Sequence, residues 1–257
     1  MIAQKELAPR RLDRLRAILR ETRVARVDEL CSQLGVSPAT VRRDLRELEK
    51  LGDLRRVHGG AVSEQARQDE PGFEDKAGVA AEQKRRIAQA ALQFVGQTDT
   101  VYLDGGSTIL ELARLLRERT RLTVVTNSLR AAMELAGGGP RLILIGGELR
   151  RLSQTLVGPL TRPVLSELTI DKAFMGTLGL TLKDGPTTTE PAEAFTKELV
   201  MHHAREVYLL ADRGKVGKAS FVRCGGWKSI GTLITDRGVD REFARKLARM
   251  GIKVVRA

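Results

Sequence analysis

The chain has 257 residues, of which 42% are hydrophobic, so it can bury a core and is long enough for two domains, which excludes wholesale disorder. No stretch approaches the roughly 20 apolar residues that span a bilayer, and residues 1–10 lack the apolar segment of a signal peptide, so we expect a cytoplasmic protein. Cys31 and Cys224 lack the spacing of metal ligands, and no metal is expected. A formal net charge of +12 favours anionic partners without locating their binding site.

The first 62 residues predict three helices followed by a hairpin. Apolar residues recur at helical spacing over residues 12–19, and Gly35 is a natural end for a short second helix. The third helix is the best specified, because Ser37 is a suitable N-cap and Pro38 suits the first turn. Its predicted buried face consists of Val41, Leu45 and Leu48.

The other side of this third helix carries residue types that read DNA. Short residues at its start allow close approach to the major groove, and an arginine can donate two hydrogen bonds to a guanine edge. We expect Thr40 and one of Arg42 or Arg43 to contact bases, and the other arginine and Arg46 to contact phosphates. The predicted DNA-binding surface of the helix consists of Ser37, Ala39, Thr40, Arg42, Arg43 and Arg46.

Residues 53–62 predict a two-stranded wing with a tight turn at Gly59 and Gly60. Arg55 and Arg56 are expected to face the sugar-phosphate backbone or the minor groove, and Gly59 at the turn is also expected to contact DNA. His58 either shapes the turn or contacts a phosphate, and the sequence leaves both open. The alternative for the whole segment is a basic three-helix bundle with an ordinary hairpin.

Residues 8–62 resemble the winged helix-turn-helix of the DeoR family of bacterial transcriptional regulators. Two runs carry the resemblance: Val36-Ser37-Pro38-Ala39-Thr40-Val41-Arg42-Arg43-Asp44-Leu45 and Arg56-Val57-His58-Gly59-Gly60-Ala61. The resemblance implies sequence-specific binding to double-stranded operator DNA. A single winged helix makes few contacts, so we expect a homodimer or homotetramer that places two recognition helices on two half-sites.

Polar residues 63–72 predict a linker between a DNA-binding domain at 1–62 and a second domain at 73–257. A basic amphipathic helix is predicted near residues 80–94. Beyond it, apolar strand-like segments alternate with helices, which predicts a mostly parallel, doubly wound α/β sheet. The predicted strands are residues 100–103, 122–125, 141–145, 172–175, 207–211, 230–235 and 252–255.

Small polar residues and glycines follow the first three of these strands, at the edge where such sheets bind ligands. The run Asp104-Gly105-Gly106-Ser107-Thr108 opens a helix whose free amides suit a phosphate, while Asp104 suits sugar hydroxyls. Thr126-Asn127-Ser128 and Gly146-Gly147 follow the next two strands. Each loop alone is also typical of an ordinary strand-to-helix turn. The first loop is neither a Walker loop nor a dinucleotide fingerprint, which favours a small phosphorylated metabolite.

Charged residues follow the later strands. Asp171 and Gly176 flank the fourth strand, and Glu193 and Lys197 lie four apart on one predicted helix face. Each charged residue alone is equally consistent with an ordinary surface pair. The last two candidates, which follow the fifth strand, are Asp212 and Lys215.

Residues 73–257 resemble the effector-binding domain of the same family, which is similar in fold to ribose-5-phosphate isomerase. The matching segments are residues 104–108, 126–128, 146–150 and 171–176, Glu193 with Lys197, and Asp212 with Lys215. Lys76 stands where the family usually has arginine, and residues 212–215 read Asp-Arg-Gly-Lys where the family has Asp-x-Ser-Lys. The resemblance implies an effector that is a small phosphorylated sugar or polyol, with no cofactor.

The isomerase resemblance makes an isomerase-like enzyme fused to a DNA-binding head the alternative function. The Asp-Gly-Ala-Asp-Glu segment of the isomerases corresponds to residues 175–179, which hold no proton-transferring group, and their catalytic glutamate corresponds to Lys197. The resemblance therefore implies a pocket that binds without catalysis, in a repressor of a sugar or polyol catabolic operon. A DNA-binding protein without an effector is a third possibility, but it needs no ligand loops.

Overall fold

The computed structural model describes residues 8–22, 24–57, 59–63 and 72–257. The chain divides into two compact units, Met1–Glu70 and Pro71–Ala257. The predicted strands and helices account for most of both units. None of the helices within the described ranges is long and apolar enough to cross a membrane.

The N-terminal unit is a three-helix domain with a small antiparallel sheet. Its apolar face is built as predicted, with Val41, Leu45 and Leu48 of the third helix fully buried. The third helix begins at Ser37, whose side-chain oxygen accepts a hydrogen bond from the backbone nitrogen of Thr40 at 3.3 Å. The elements are α1 (Ala8–Thr22), β1 (Val24–Arg26), α2 (Val27–Leu34), α3 (Pro38–Lys50), β2 (Leu54–Val57) and β3 (Gly60–Ser63).

The wing has three strands in the order β1-β3-β2, rather than the predicted two. The additional strand β1 runs antiparallel to β3 and pairs Arg26 with Gly60. A Cβ atom at Gly60 would lie 2.4 Å from the carbonyl oxygen of Ala25, so the pairing requires glycine there. Of the two glycines in the predicted turn, Gly59 has the left-handed conformation, with φ of +86°, whereas Gly60 is the first residue of β3.

The predicted linker also begins one residue too early. Ser63 is the last residue of β3 and pairs with Leu54, so it belongs to the wing sheet. Gly72, the last residue of the predicted linker, precedes the first helix of the second unit and donates its backbone N–H to Asp75 at 3.1 Å. The rest of the predicted linker, residues 64–71, lies outside the described residues.

A buried ion pair joins α1 to α3. The guanidinium of Arg11 donates to the carboxylate of Asp44 through Nε at 2.5 Å and Nη2 at 3.0 Å, and both residues are almost completely buried. Asp44 is therefore a core residue of the helix that carries Arg42 and Arg43. The pair fixes α3 against α1, because a bidentate contact between a guanidinium and a carboxylate restrains orientation as well as distance.

Replacing Asp44 with asparagine is expected to lower the free energy of unfolding of the N-terminal unit by about 3–5 kcal/mol, because it leaves the Arg11 charge buried without its partner. Urea denaturation monitored by circular dichroism measures this loss. Asp13→Asn is the matched control, since Asp13 is exposed and pairs with Arg16 on the surface of α1; about 1 kcal/mol or less is expected there. Equal losses in the two variants would contradict the structural role of the buried pair.

The C-terminal unit contains a seven-stranded parallel sheet with the strand order β15-β14-β12-β9-β4-β5-β6. All seven predicted strands belong to it, with ends shifted by at most three residues. Their bounds are β4 (Thr100–Leu103), β5 (Thr123–Thr126), β6 (Arg141–Leu144), β9 (Ile170–Met175), β12 (Ala204–Leu210), β14 (Thr232–Thr235) and β15 (Lys253–Arg256).

Helices cover both faces of this sheet, as the doubly wound class requires. Apolar residues of α5, α6 and α7 pack on one face, and those of α8, α9 and α10 pack on the other. The helices are α4 (Phe73–Gly78), α5 (Ala81–Leu92), α6 (Ser107–Leu116), α7 (Leu129–Leu135), α8 (Arg162–Ser166), α9 (Pro191–His203) and α10 (Arg241–Arg249).

Two small antiparallel elements lie outside the main sheet. A hairpin is formed by β7 (Glu148–Arg150) and β8 (Thr155–Val157). A three-stranded sheet is formed by β10 (Gly179–Thr181), β11 (Gly185–Thr188) and β13 (Val222–Arg223). The hairpin matters for function, because the loop between its strands carries Ser153, which lines the cavity described below.

Candidate functional site

The exposed side of α3 carries the residues predicted to read DNA. Arg42, Arg43 and Arg46 are exposed, whereas Thr40 is partly buried and shares a hydrogen bond with the Ser37 hydroxyl at 3.0 Å. Ser37 and Ala39 are exposed at the start of the helix. The helix therefore presents three guanidinium groups on the surface away from the buried face.

The wing residues have mixed placements. Arg56 donates from Nε to the carboxylate of Glu49 on α3 at 2.7 Å, and its backbone nitrogen donates to the same carboxylate at 2.8 Å. This pair holds the wing against α3, a role that the sequence did not predict. Gly59 is exposed in the turn. The side chain of Arg55 and the whole of His58 lie outside the described residues, and their predicted DNA contacts stay predictions.

A cavity of about 640 Å³, its open mouth included, lies at the carboxyl edge of the main sheet. Four lysines and two carboxylates line it, so its wall carries a net positive charge. The lining residues that the sequence singled out as ligand candidates are Gly105, Gly106, Ser107, Thr108, Gly176, Glu193, Lys197, Asp212 and Lys215. The lining residues outside that prediction are Phe73, Lys76, Lys84, Ile109, Ser153, Thr177, Leu178, Leu210 and Ala211.

Ion pairs and hydrogen bonds link four side chains of alternating charge at the cavity wall: Asp104, Lys197, Glu193 and Arg150. Lys197 forms an ion pair with Asp104, which is buried directly after β4, and lies 3.5 Å from the Glu193 carboxylate. Glu193 in turn accepts a hydrogen bond from Arg150 of the hairpin at 3.1 Å. Burial favours the neutral amine, but the attraction of Asp104 and Glu193 outweighs it and raises the pKa of Lys197. The charge of Lys197 is therefore already compensated by protein groups.

Replacing Lys197 with methionine is expected to lower the free energy of unfolding by about 3–5 kcal/mol, because Asp104 and Glu193 lose a buried cation. The raised pKa means that the contribution of Lys197 is complete at neutral pH and is lost only as the pH rises through that pKa. Thermal unfolding at pH 7 measures the loss. Lys246→Met is the matched control, since Lys246 forms an exposed ion pair with Glu242; a loss for Lys197→Met no larger than for this control would contradict the assignment.

Lys84 lies in the same cavity in a different electrostatic state. Its side chain on α5 is only 4% exposed, and its ammonium donates to the backbone carbonyls of Lys76 and Val79. No carboxylate among the described residues forms an ion pair with it. Burial lowers the pKa of Lys84, and the attraction of Asp212 only partly offsets this effect. Among the described residues, the charge of Lys84 is thus only partly compensated.

The structure does not bring two of the predicted loops to the cavity. Thr126 donates to the carbonyl of Leu103 at 2.6 Å, and Ser128 caps α7 by accepting from the backbone nitrogen of Ala131 at 3.3 Å. Asn127 donates to the carbonyl of Leu156 in the hairpin at 3.0 Å. Their side chains serve the local backbone, which corrects the expectation that residues 126–128 hold the ligand.

The third loop, Gly146-Gly147, follows the edge strand β6 and does not line the cavity either. Gly147 instead packs closely against the hairpin, where a Cβ atom would lie 2.9 Å from the carbonyl oxygen of Val157. Gly147 therefore allows the hairpin to approach the sheet, and neither glycine lines the cavity, which corrects their predicted role as ligand contacts.

Asp171 lies at the opposite edge of the sheet from the cavity. It is the second residue of β9, whereas Gly176 directly follows that strand, so the two are separated by roughly 16 Å of extended chain. Asp171 accepts hydrogen bonds from the backbone nitrogen of Thr100 and from Arg205, both at 2.9 Å. The prediction that Asp171 contacts the effector is therefore wrong. Asp171 lies near the start of its strand, and parallel strands start at the edge of the sheet opposite to the carboxyl edge, where the cavity lies.

Lys84 is the most informative residue that sequence reasoning missed. It precedes Ile87 and Ala88 by three and four residues, so it lies on the buried stripe of α5. A lysine on an apolar stripe was the available signal, but the many basic residues of this helix obscured it. Among the described residues, no group of three or more histidine, cysteine or acidic side chains is arranged to hold a metal ion.

Comparison with known proteins matches both units to one family. Residues 11–67 match the family model described as a DeoR-like helix-turn-helix domain, and residues 79–237 match that of the DeoR C terminal sensor domain. The chain belongs to the DeoR family of transcriptional regulators. In this DeoR-family protein, the exposed arginines of α3 therefore lie in the DNA-binding domain and the cavity lies in the sensor domain.

Two relatives match this DeoR-family chain over most of their length. The HTH-type transcriptional regulator GlpR of Haloferax volcanii is 38% identical over 229 residues, which are 89% of this chain and 90% of that protein. The lactose phosphotransferase system repressor of Staphylococcus epidermidis is 36% identical over 242 residues, 92% of this chain and 95% of that protein. The chain is accordingly a transcriptional regulator and not an enzyme.

Among solved structures, a D-ribose-5-phosphate isomerase in complex with phospho-erythronic acid aligns with a TM-score of 0.41. The alignment has 18% sequence identity and covers 53% of this chain and 54% of that chain. This similarity is too low to support an inference about ligand or activity.

Proposed function

We propose that this DeoR-family protein represses a sugar or polyol catabolic operon, and that a phosphorylated sugar or polyol in the sensor cavity changes its affinity for operator DNA. The regulator acts in the cytoplasm as a homodimer or homotetramer, without a cofactor. The lactose phosphotransferase system repressor among its relatives supports the sugar assignment. The isomerase-like enzyme is not favoured, because close relatives are regulators.

Lys84 is the single observation that carries the choice of a phosphorylated ligand. A buried ammonium is costly unless an anion or hydrogen bonds compensate it, and among the described residues Lys84 has two carbonyl partners for its three N–H groups. The first turn of α6 lines the same cavity through Ser107 and Thr108, and its free backbone N–H groups favour an anion. A phosphate between Lys84 and the start of α6 would satisfy both groups.

Another part of the cavity wall suits the sugar part of the ligand. Glu193 and Lys197 line the cavity, and the two positive charges of Lys197 and Arg150 compensate the two negative charges of Asp104 and Glu193. A compensated pair offers hydrogen-bond donors and acceptors without a net charge, which suits hydroxyl groups better than a second phosphate. We therefore assign the phosphate to Lys84 and not to Lys197.

A thermal-shift comparison of phosphorylated and unphosphorylated compounds tests the proposal. Glycerol 3-phosphate, fructose 1-phosphate and fructose 6-phosphate are compared with glycerol and fructose at equal concentration. A ligand at about 100 times its Kd adds about 2.7 kcal/mol to the stability of the folded state, which is readily detected as a rise in Tm. Binding of the free sugars alone, or catalytic turnover of a sugar phosphate, would contradict the proposal.

A further inference from the structure

The first helix of the sensor unit has an unusual set of attachments. This helix, α4, directly follows residues 64–71, which connect it in the chain to the DNA-binding unit. It also contributes Phe73 and Lys76 to the wall of the cavity. A change in the position of α4 would thus alter both the contacts with a bound ligand and the position of the end of the connecting segment.

The C-terminal half of α4 is tied to residues that face the ligand. The carbonyl oxygen of Lys76 accepts a hydrogen bond from the Lys84 ammonium and another from the Ser107 hydroxyl at 3.4 Å. Lys84 and Ser107 are the groups placed next to the phosphate under the proposed function. A ligand that accepts hydrogen bonds from Lys84 or Ser107 would alter the hydrogen bonds that these residues donate to the Lys76 carbonyl of α4.

Arg130 of α7 holds the other half of α4 without lining the cavity. Its guanidinium forms an ion pair with Glu74 and lies 5.4 Å from the centre of the Phe73 ring. The same guanidinium donates to the side chain of Gln154, next to Ser153 of the cavity wall. Arg130 therefore links α4 to the hairpin loop across the outside of the ligand site.

We propose that α4 transmits ligand occupancy to the DNA-binding unit, and that Arg130 is the positioning residue that makes the transmission effective. The inference rests on the proposed function, since it requires a phosphorylated ligand in the cavity. Glu74 is 71% exposed and Arg130 35% exposed, so their ion pair adds little to stability. Its removal should therefore loosen α4 while the sensor unit stays folded.

The test compares the ratio of operator affinities with and without ligand in the full chain. Operator duplexes are selected from a random library with the unmodified protein, and the ligand is whichever of glycerol 3-phosphate, fructose 1-phosphate or fructose 6-phosphate raises its Tm. The unmodified protein should show a ratio of about 5 to 150. Arg130→Gln should reduce this ratio to about 3 or less while ligand Kd changes by less than about 3-fold, and Arg130→Lys should give an intermediate ratio, since it keeps the charge.

Arg114→Gln is the matched control, because Arg114 forms ion pairs with Glu111 and Glu134, and among the described residues no hydrogen bond or ion pair joins it to α4 or the hairpin. It should leave the ratio unchanged. Hydrogen exchange provides a readout without ligand, in which Arg130→Gln should speed exchange in residues 73–78 and leave α10 unaffected. An unchanged ratio or unchanged exchange in Arg130→Gln would overturn the inference while leaving the proposed function intact. Failure of all three compounds to bind the unmodified protein would overturn both.

Discussion

Replacing Arg42 and Arg43 together with alanine is expected to abolish specific operator binding while the protein stays folded. Both side chains are exposed on α3. Arg43 lies 3.9 Å from the buried Asp44 carboxylate, but that carboxylate keeps its two hydrogen bonds from Arg11 in the variant, so the fold should be retained. One bidentate contact between an arginine and a guanine contributes about 1–3 kcal/mol of discrimination, so losing one such contact in each of two half-sites lowers the affinity roughly 30-fold or more. Fluorescence anisotropy with operator and scrambled duplexes at one fixed salt concentration measures the loss.

The single variants separate the two arginines, whose roles the sequence left open. Loss of the base-reading arginine should reduce the preference for operator over scrambled DNA, whereas loss of the phosphate-contacting one should weaken both and lower the salt dependence. Arg85→Ala with Arg86→Ala is the matched control, since these exposed neighbours on α5 of the sensor unit remove the same charge. Equal loss of operator binding in the control pair would show that overall charge, and not α3, determines the affinity.

Replacing Lys84 with glutamine is expected to eliminate the response to the phosphorylated ligand. Removing one partner of a buried, hydrogen-bonded charge pair costs about 2–5 kcal/mol, which corresponds to roughly a 30- to 5000-fold rise in ligand Kd. The stability of the ligand-free protein should not fall, because burial already disfavours the charged form of this lysine and lowers its pKa. Isothermal titration of the ligand, with a thermal scan of the free protein, measures both effects.

The pH dependence of the unliganded protein checks the electrostatic state of Lys84. Between the lowered pKa and the ordinary value near 10.5, the unfolded chain binds more protons than the folded one, so stability rises with pH in that window. Lys84→Gln should remove this rise. Lys246→Gln, which breaks only an exposed ion pair on α10, should change neither ligand affinity nor pH dependence. Full ligand affinity in Lys84→Gln would place the phosphate elsewhere.

The fold could be predicted from local pattern because each strand of the main sheet is an apolar run bounded by polar or glycine residues. The strands that escaped prediction are β1 of the wing and the strands of the two small antiparallel elements, β7, β8, β10, β11 and β13. Of these, β1 is only three residues long and precedes α2 without an intervening turn. Its existence depends on Gly60, whose missing side chain admits the Ala25 carbonyl, and this contact joins residues 35 positions apart. Such a non-local contact leaves no local periodicity in the sequence.

The cavity was predictable only in part, because position after a strand indicates an edge but not the direction of a side chain. The run Asp104 to Thr108 lies at the cavity or beside it, since it follows β4, an interior strand next to the central strand β9. Thr126, Asn127 and Ser128 follow the neighbouring strand, but their hydrogen bonds are taken by the backbone of β4, the hairpin and α7. Lys84 and Phe73 enter from helices that precede the sheet, where the order of the chain gives no sign that they approach the strand ends.

The decisive measurement is the affinity of the full-length protein for its operator, titrated with and without the sugar phosphate that raises its Tm most. A sensor domain that controls the DNA-binding domain predicts a change in operator Kd of about 5- to 150-fold, and the same factor in ligand Kd when operator is present. An operator Kd that stays the same when the cavity is saturated with ligand would contradict the regulation of DNA binding by this site.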